Sequence, residues 1–195
     1  MTKIPVDNSG DEILDATDME NLARHLGFVV IVWGMVETKV RELLHSVVMI
    51  SEPDRDIATA VMSETPFRTQ ISILRKAAYI KRGDGEWFNK LDAALSELLG
   101  PLSEKRNRFV HDAWVAEDGI IVREVRGALE VSIGNKGKRA LNVIPPAKTT
   151  VADIARFLTA VDAQYRALID LRVEYLMWAM ENDKFPQHIK ASRLD

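Results

Sequence analysis

Leu22, Leu26, Val29, Trp33, Val36, Val40, Leu43 and Val47 recur at alternating spacings of four and three. That period lays them along one stripe of a long helix packed lengthwise against others. The helix starts at TDME (17–20), a capping box in which Thr17 accepts from a first-turn amide and Glu20 reaches back. Residues 28–32 are apolar on every side and are expected to be buried all round. Gly27 and Gly34 lie one heptad apart, each costing about 1 kcal/mol of helix propensity relative to alanine. The expected cause is close approach by another helix, from the same chain or from a second copy.

After ISEPDR (50–55) the pattern predicts a short helix over about 54–63 and another over about 66–81, entered through TPF. RGDGE (82–86) reads as a turn. The next helix starts near Gly85 and turns Trp87, Leu91, Leu95, Leu98, Leu102 and then Phe109 inward. Pro101 stands inside that run and is expected to kink or split it. Past Trp114 the period changes. Ile121, Arg123 and Val125, then Leu129, Val131 and Ile133, alternate between glycines, which reads as a small β-hairpin or meander over about 115–144. Such a ribbon is not stable alone and must lie on the helices. Thr150 and Asp153 resemble an N-cap, and a last helix over about 151–183 repeats the stripe with Ile154, Leu158, Val161, Tyr165, Leu168, Leu171, Tyr175 and Trp178.

The expected fold is therefore mainly α. It is an up-and-down helical bundle with long N- and C-terminal helices and a small β-hairpin or meander insert after the fourth long helix. One domain is expected over 17–183, with a flexible N-terminus at 1–16 and a frayed tail at 184–195.

Apolar residues make up 47% of the 195 and charged residues 28%, ordinary proportions for a water-soluble domain. No cysteine is present, which excludes disulfides, zinc–thiolate sites and thiol catalysis. The first 20 residues are polar and lack the apolar core of a signal peptide. GFVVIVWGMV (27–36) is about half the length that crosses a bilayer. A cytoplasmic protein without membrane contact is expected. Net charge is −3, so no broad basic face of the kind that coats nucleic acid is indicated. Nucleic-acid chemistry would be local, at RKAAYIKR (75–82), KRNR (105–108) or NKGKR (135–139).

Of these, EKRNRFVH (104–111) carries the most chemistry. Asn107 and His111 are four apart on a helix and share a face, about 160° from the inward-pointing Phe109. Arg106 is about 140° from His111 on an ideal helix, within reach of a shared phosphate only through its long side chain. Glu104 lies about 20° from the His111 direction, where a carboxylate would favour the imidazolium. Glu104, Arg108 and Asp112 also form a ladder of alternating charge at i, i+4, i+8, which is a purely structural use. Glu104 and Arg108 are secondary candidates for substrate contact. His25, His45 and His188 have no carboxylate or histidine at ligand spacing, so no metal site is expected, and GDGEW lacks the Lys-Ser/Thr of a phosphate loop. Glu37, four residues after Trp33, is either a polar group presented to a groove or the solvated edge of the stripe.

RNRFVH, with Asn107 directly after the arginine and a position near the end of a late helix, resembles the Arg-x4-6-His signature of the HEPN superfamily. These are small all-helical domains named for higher eukaryotes and prokaryotes and for nucleotide binding. The resemblance extends loosely over about 18–180, but its specific part is six residues, and the strand-rich insert is not part of the minimal bundle. It implies an endoribonuclease that needs no metal or other cofactor and acts at the cleft of a homodimer. Under that reading Arg106 stabilises the phosphorane's charge, His111 serves as acid or base, and Asn107 positions. A guanidinium forks onto phosphate oxygens without losing its proton, and histidine changes charge near neutral pH. A toxin or anti-phage effector with an antitoxin partner belongs to the same implication. The alternative is a non-catalytic HEPN-like module that binds RNA, a nucleotide or a protein.

Overall fold

Pro101 stands inside a helical run without ending it. A proline ring clashes with the carbonyl four residues back and offers no N–H to it. The backbone answers with a single π turn, Leu98–Leu102, after which the Ser103 amide donates to the Gly100 carbonyl and α-helix resumes. The run from Glu86 to His111 is thus split but continuous, and Trp87, Leu91, Leu95, Leu98, Leu102 and Phe109 are all buried along it.

The computed structural model describes residues 16–48, 55–117, 120–124, 129–133, 139–143 and 149–182. The chain is mainly α with a small β insert. In order it forms α1 (Ala16–Val48), α2 (Arg55–Ser63), α3 (Phe67–Arg82), α4 (Glu86–Glu97), the π turn, α5 (Ser103–His111), β1 (Ala113–Glu117), β2 (Ile120–Glu124), β3 (Leu129–Ile133), β4 (Arg139–Val143) and α6 (Val151–Glu181). Val125, residues 1–15 of the expected N-terminal extension and the expected tail lie outside the described residues. No described helix is long and apolar enough to cross a membrane.

The chain divides into two compact units, residues 31–104 with 159–195, and residues 1–30 with 105–158. In the first, the α1 stripe from Trp33 to Val47 is buried together with Ile71, Leu74, Leu168 and Leu171. Local chemistry sets the helix limits. Pro66 precedes α3 with φ −55° and ψ 141°, the extended geometry that proline tolerates before a first turn. Gly83 ends α3 at φ 76° and returns its amide to the Tyr79 carbonyl. That left-handed conformation is one only glycine adopts without cost. Long-range bonds tie the unit together. Trp87 Nε1 donates to the Leu171 carbonyl at 3.0 Å, and Arg172 reaches Glu42 and Ser46, each at 3.0 Å.

In the second unit β1 and β2 pair antiparallel from Ala113↔Glu124 to Glu117↔Ile120. Strands β3 and β4 form a separate ribbon with Leu129 opposite Val143. The first ribbon rests on a helix, as a lone hairpin must. Ile121, Val122 and Arg123 are all buried, and the Arg123 amide donates to the Thr149 carbonyl at 3.0 Å. Thr150 then starts α6. Asp153 accepts from its amide at 2.8 Å and its hydroxyl at 3.0 Å.

The middle of α1 departs from expectation. Val29 is fully buried, but Phe28, Val30 and Ile31 are 48%, 49% and 60% exposed. Continuous apolarity in a sequence cannot tell a helix surrounded by its own chain from one that keeps an apolar side open. The charge ladder on α5 does not form either. Among the described residues neither Glu104 nor Arg108 makes an ion pair, and the Asp112 carboxylate pairs with Arg123 instead.

Candidate nucleic-acid site on α5

Helix α5 is anchored by one aromatic side chain. Phe109 packs edge-on against Phe157 at 5.2 Å and flat against Trp114 at 6.3 Å between ring centres. The Trp114 indole N–H donates back to the Phe109 carbonyl at 3.1 Å, satisfying one of the acceptors that every helix end leaves open. Trp114 thus locks the passage from helix to strand. With Phe109 turned inward, Asn107 and His111 fall on the outer side and both are exposed, while Arg106 is half-buried.

Arg106 Nη1 donates to Asn107 Oδ1 at 3.0 Å, so two of the three motif residues are joined directly. Arg106 Nε is buried without a hydrogen-bond partner among the described residues. The guanidinium is therefore held along the helix surface by its neighbour. His111, the last residue of α5, makes no hydrogen bond or ion pair among the described residues, and no bond joins it to Asn107. Glu104 and Arg108 are exposed.

Beneath the helix end lies a charged residue that sequence reasoning passed over. Arg123 is only 7% exposed. Its Nη1 is 3.5 Å from Asp112 Oδ2, and its guanidinium lies 5.9 Å from the Phe109 ring centre. Burial weakens its hold on its proton, Asp112 opposes that, and Arg108 adds to it. Alternation along β2 sets Arg123 on the same face as the buried Ile121, but nothing in the pattern names Asp112 as its partner.

The other candidates are used structurally. Arg75 pairs with Asp92 at 2.7 Å and Arg82 with Glu174 at 3.3 Å, which takes both arginines of the 75–82 cluster into ion pairs. In NKGKR only Arg139 lies within the described residues. Glu37 accepts from the Trp33 indole at 3.0 Å. His25 donates through Nδ1 to the Asn21 carbonyl at 2.8 Å. No group of three His, Asp or Glu side chains among the described residues is placed to hold a metal ion. A groove of about 670 Å³ along α4 and α6, lined by Lys90, Ala93, Glu97, Ala167, Asp170 and Glu174 among others, contains none of the motif residues.

No protein-family model matches the chain, and no curated protein or solved structure matches it.

Proposed function

We propose that the chain is a metal-independent endoribonuclease of HEPN type, acting as a homodimer in the cytoplasm. The 2′-hydroxyl of RNA attacks the adjacent phosphorus, the P–O5′ bond breaks, and a 2′,3′-cyclic phosphate remains. One proton leaves the nucleophile and another reaches the departing 5′-oxygen. Each chain offers one motif histidine, so two copies meeting at the substrate supply an acid and a base. Arg106 faces the charge that builds on the phosphorane, and Asn107 orients it. The supporting observation is that His111 and the Arg106–Asn107 pair stand accessible on a helix whose other side is locked by Phe109. A toxin or defence role with a protein antidote fits the same chemistry.

The test is cleavage of a mixed RNA pool by purified protein in EDTA, with His111→Ala and Arg106→Ala beside the wild type and circular dichroism as the folding control. Loss of about a hundredfold or more in both variants is expected. Cleavage unchanged in either overturns its assignment. Toxicity on expression, relieved by His111→Ala, tests the effector role.

A second reading, a module that holds RNA, a nucleotide or a protein without turnover, is favoured by one observation. The Arg106 guanidinium is bonded sideways to Asn107 rather than toward His111. RNA retained but uncut by the wild type selects that reading.

A further inference from the structure

Helix α1 has a side that nothing in the described chain covers. Phe28, Val30, Ile31 and Met35 are 43% to 60% exposed there. Gly27 and Gly34 lie among them, and a Cβ placed on either would meet nothing within 4 Å. Glycine inside a helix is disfavoured, so two of them beside four open apolar side chains suit a backbone that another helix approaches. Contiguous apolar surface of this kind marks an interface.

The charges at the two ends say which helix it is. At 100° per residue, Glu20, Gly27, Ile31, Gly34 and Arg41 all point within about 40° of one line. Lay a second α1 antiparallel on that line, crossing between Val30 and Ile31. Gly27 then faces Gly34 of the second copy, Val30 faces its Ile31, and Glu20 faces its Arg41. The two-fold axis repeats each pairing, so the glycine contact and the ion pair each occur twice. A parallel arrangement would set Glu20 against Glu20 and Arg41 against Arg41. We propose that α1 is the surface through which two copies of this chain associate, antiparallel, with Gly27 and Gly34 as the points of closest approach. This pairing stands on α1 alone and is separate from the chemistry assigned to α5.

The absence of cysteine in the chain makes the test clean. In the full-length protein, Ile31→Cys places a thiol beside the two-fold axis, and mild oxidation is expected to link two copies. Glu20→Cys leaves its two thiols about 32 Å apart along the helices and is expected not to link. By sedimentation velocity, Glu20→Arg weakens the wild-type dimer about tenfold or more, and Glu20→Arg with Arg41→Glu restores it. Both positions are on the helix surface, so folding is preserved. A wild-type monomer at all concentrations, linkage through Glu20→Cys, or no restoration in the double swap each overturns the proposal. RNA cleavage is read separately, so loss of activity and loss of pairing are distinguishable.

Discussion

The Arg123 guanidinium lies 3.5 Å from the Asp112 carboxylate, where α5 has ended and β1 has not yet begun. Arg123 is 7% exposed and the Asp112 side chain 31%, so one partner is out of water and the other half in it. Removing the partner of a buried charge costs more than removing both members of the pair, since the remaining charge is left uncompensated. Asp112→Ala is expected to cost about 2 kcal/mol, below the usual range for fully buried pairs because Asp112 stays wet and the contact is long. Arg123→Met, which keeps the apolar stem, is expected within about 1 kcal/mol of wild type, and Asp112→Ala on that background to cost less than about 0.5 kcal/mol. Denaturant midpoints at constant slope measure the cycle; simple additivity would remove the coupling.

Asp153 closes the start of α6. The Thr150 amide, then Arg156, hold its carboxyl below the ordinary aspartate range. A depressed carboxylate contributes stability above its unfolded value, about 3.9, and loses it as pH falls toward the folded value. Asp153→Asn is expected to cost about 1 kcal/mol at pH 7, the worth of a helix cap. Thermal midpoints of wild type and variant, scanned from neutral into acid, should converge below the aspartate range. A gap of constant size would assign the loss to something other than ionisation.

These tests fall on features of unequal legibility. Helix α3 was readable from its ends, because Pro66 and Gly83 act through backbone geometry that no distant residue has to supply. The inward run from Trp87 to Phe109 was readable from its period, and Pro101 marked a break in it through its own covalent structure, although the form of that break, a π turn, was not. The pairing of Arg123 with Asp112 was not, since it forms only where the end of α5 meets the hairpin. The open side of α1 was not either, because apolar residues look alike whether covered or bare. In the candidate site the three residue types were visible. The Arg106–Asn107 bond was hidden, because adjacent helical positions do not face each other and only a long guanidinium arm bridges them.

Tyr175 is 1% exposed, and its hydroxyl donates to the Val47 carbonyl in the last turn of α1 at 3.1 Å. Tyr175→Phe keeps the ring contacts with Trp87 and Trp178 but leaves that carbonyl without its donor. A cost of about 1–2 kcal/mol is expected by urea unfolding at pH 7. Burial pushes the phenol's pKa up, so its contribution is complete below the unfolded value of about 10 and is lost as pH rises toward the folded one. The difference between tyrosine and phenylalanine should therefore shrink in alkali. If it grows instead, the phenol is not the group responsible.

Asn107 separates an arginine that is positioned from one that is merely nearby. Its Oδ1 holds Arg106 Nη1 at 3.0 Å while Arg106 Nε is closed off, so the guanidinium's direction depends on one neutral acceptor. Asn107→Ala removes the tether without altering charge, and RNA cleavage is expected to fall about tenfold through misdirection alone. Asn107→Asp keeps an acceptor of the same shape but turns the bond into an ion pair, which satisfies the guanidinium and sets a negative charge against the phosphate. Cleavage is then expected to fall about a hundredfold or more, with thermal stability equal to or above wild type. A purely structural role for the bond reverses that order, since aspartate would preserve it and alanine would not. Single-turnover rates of the two variants, beside Arg106→Ala as the floor, decide between the two.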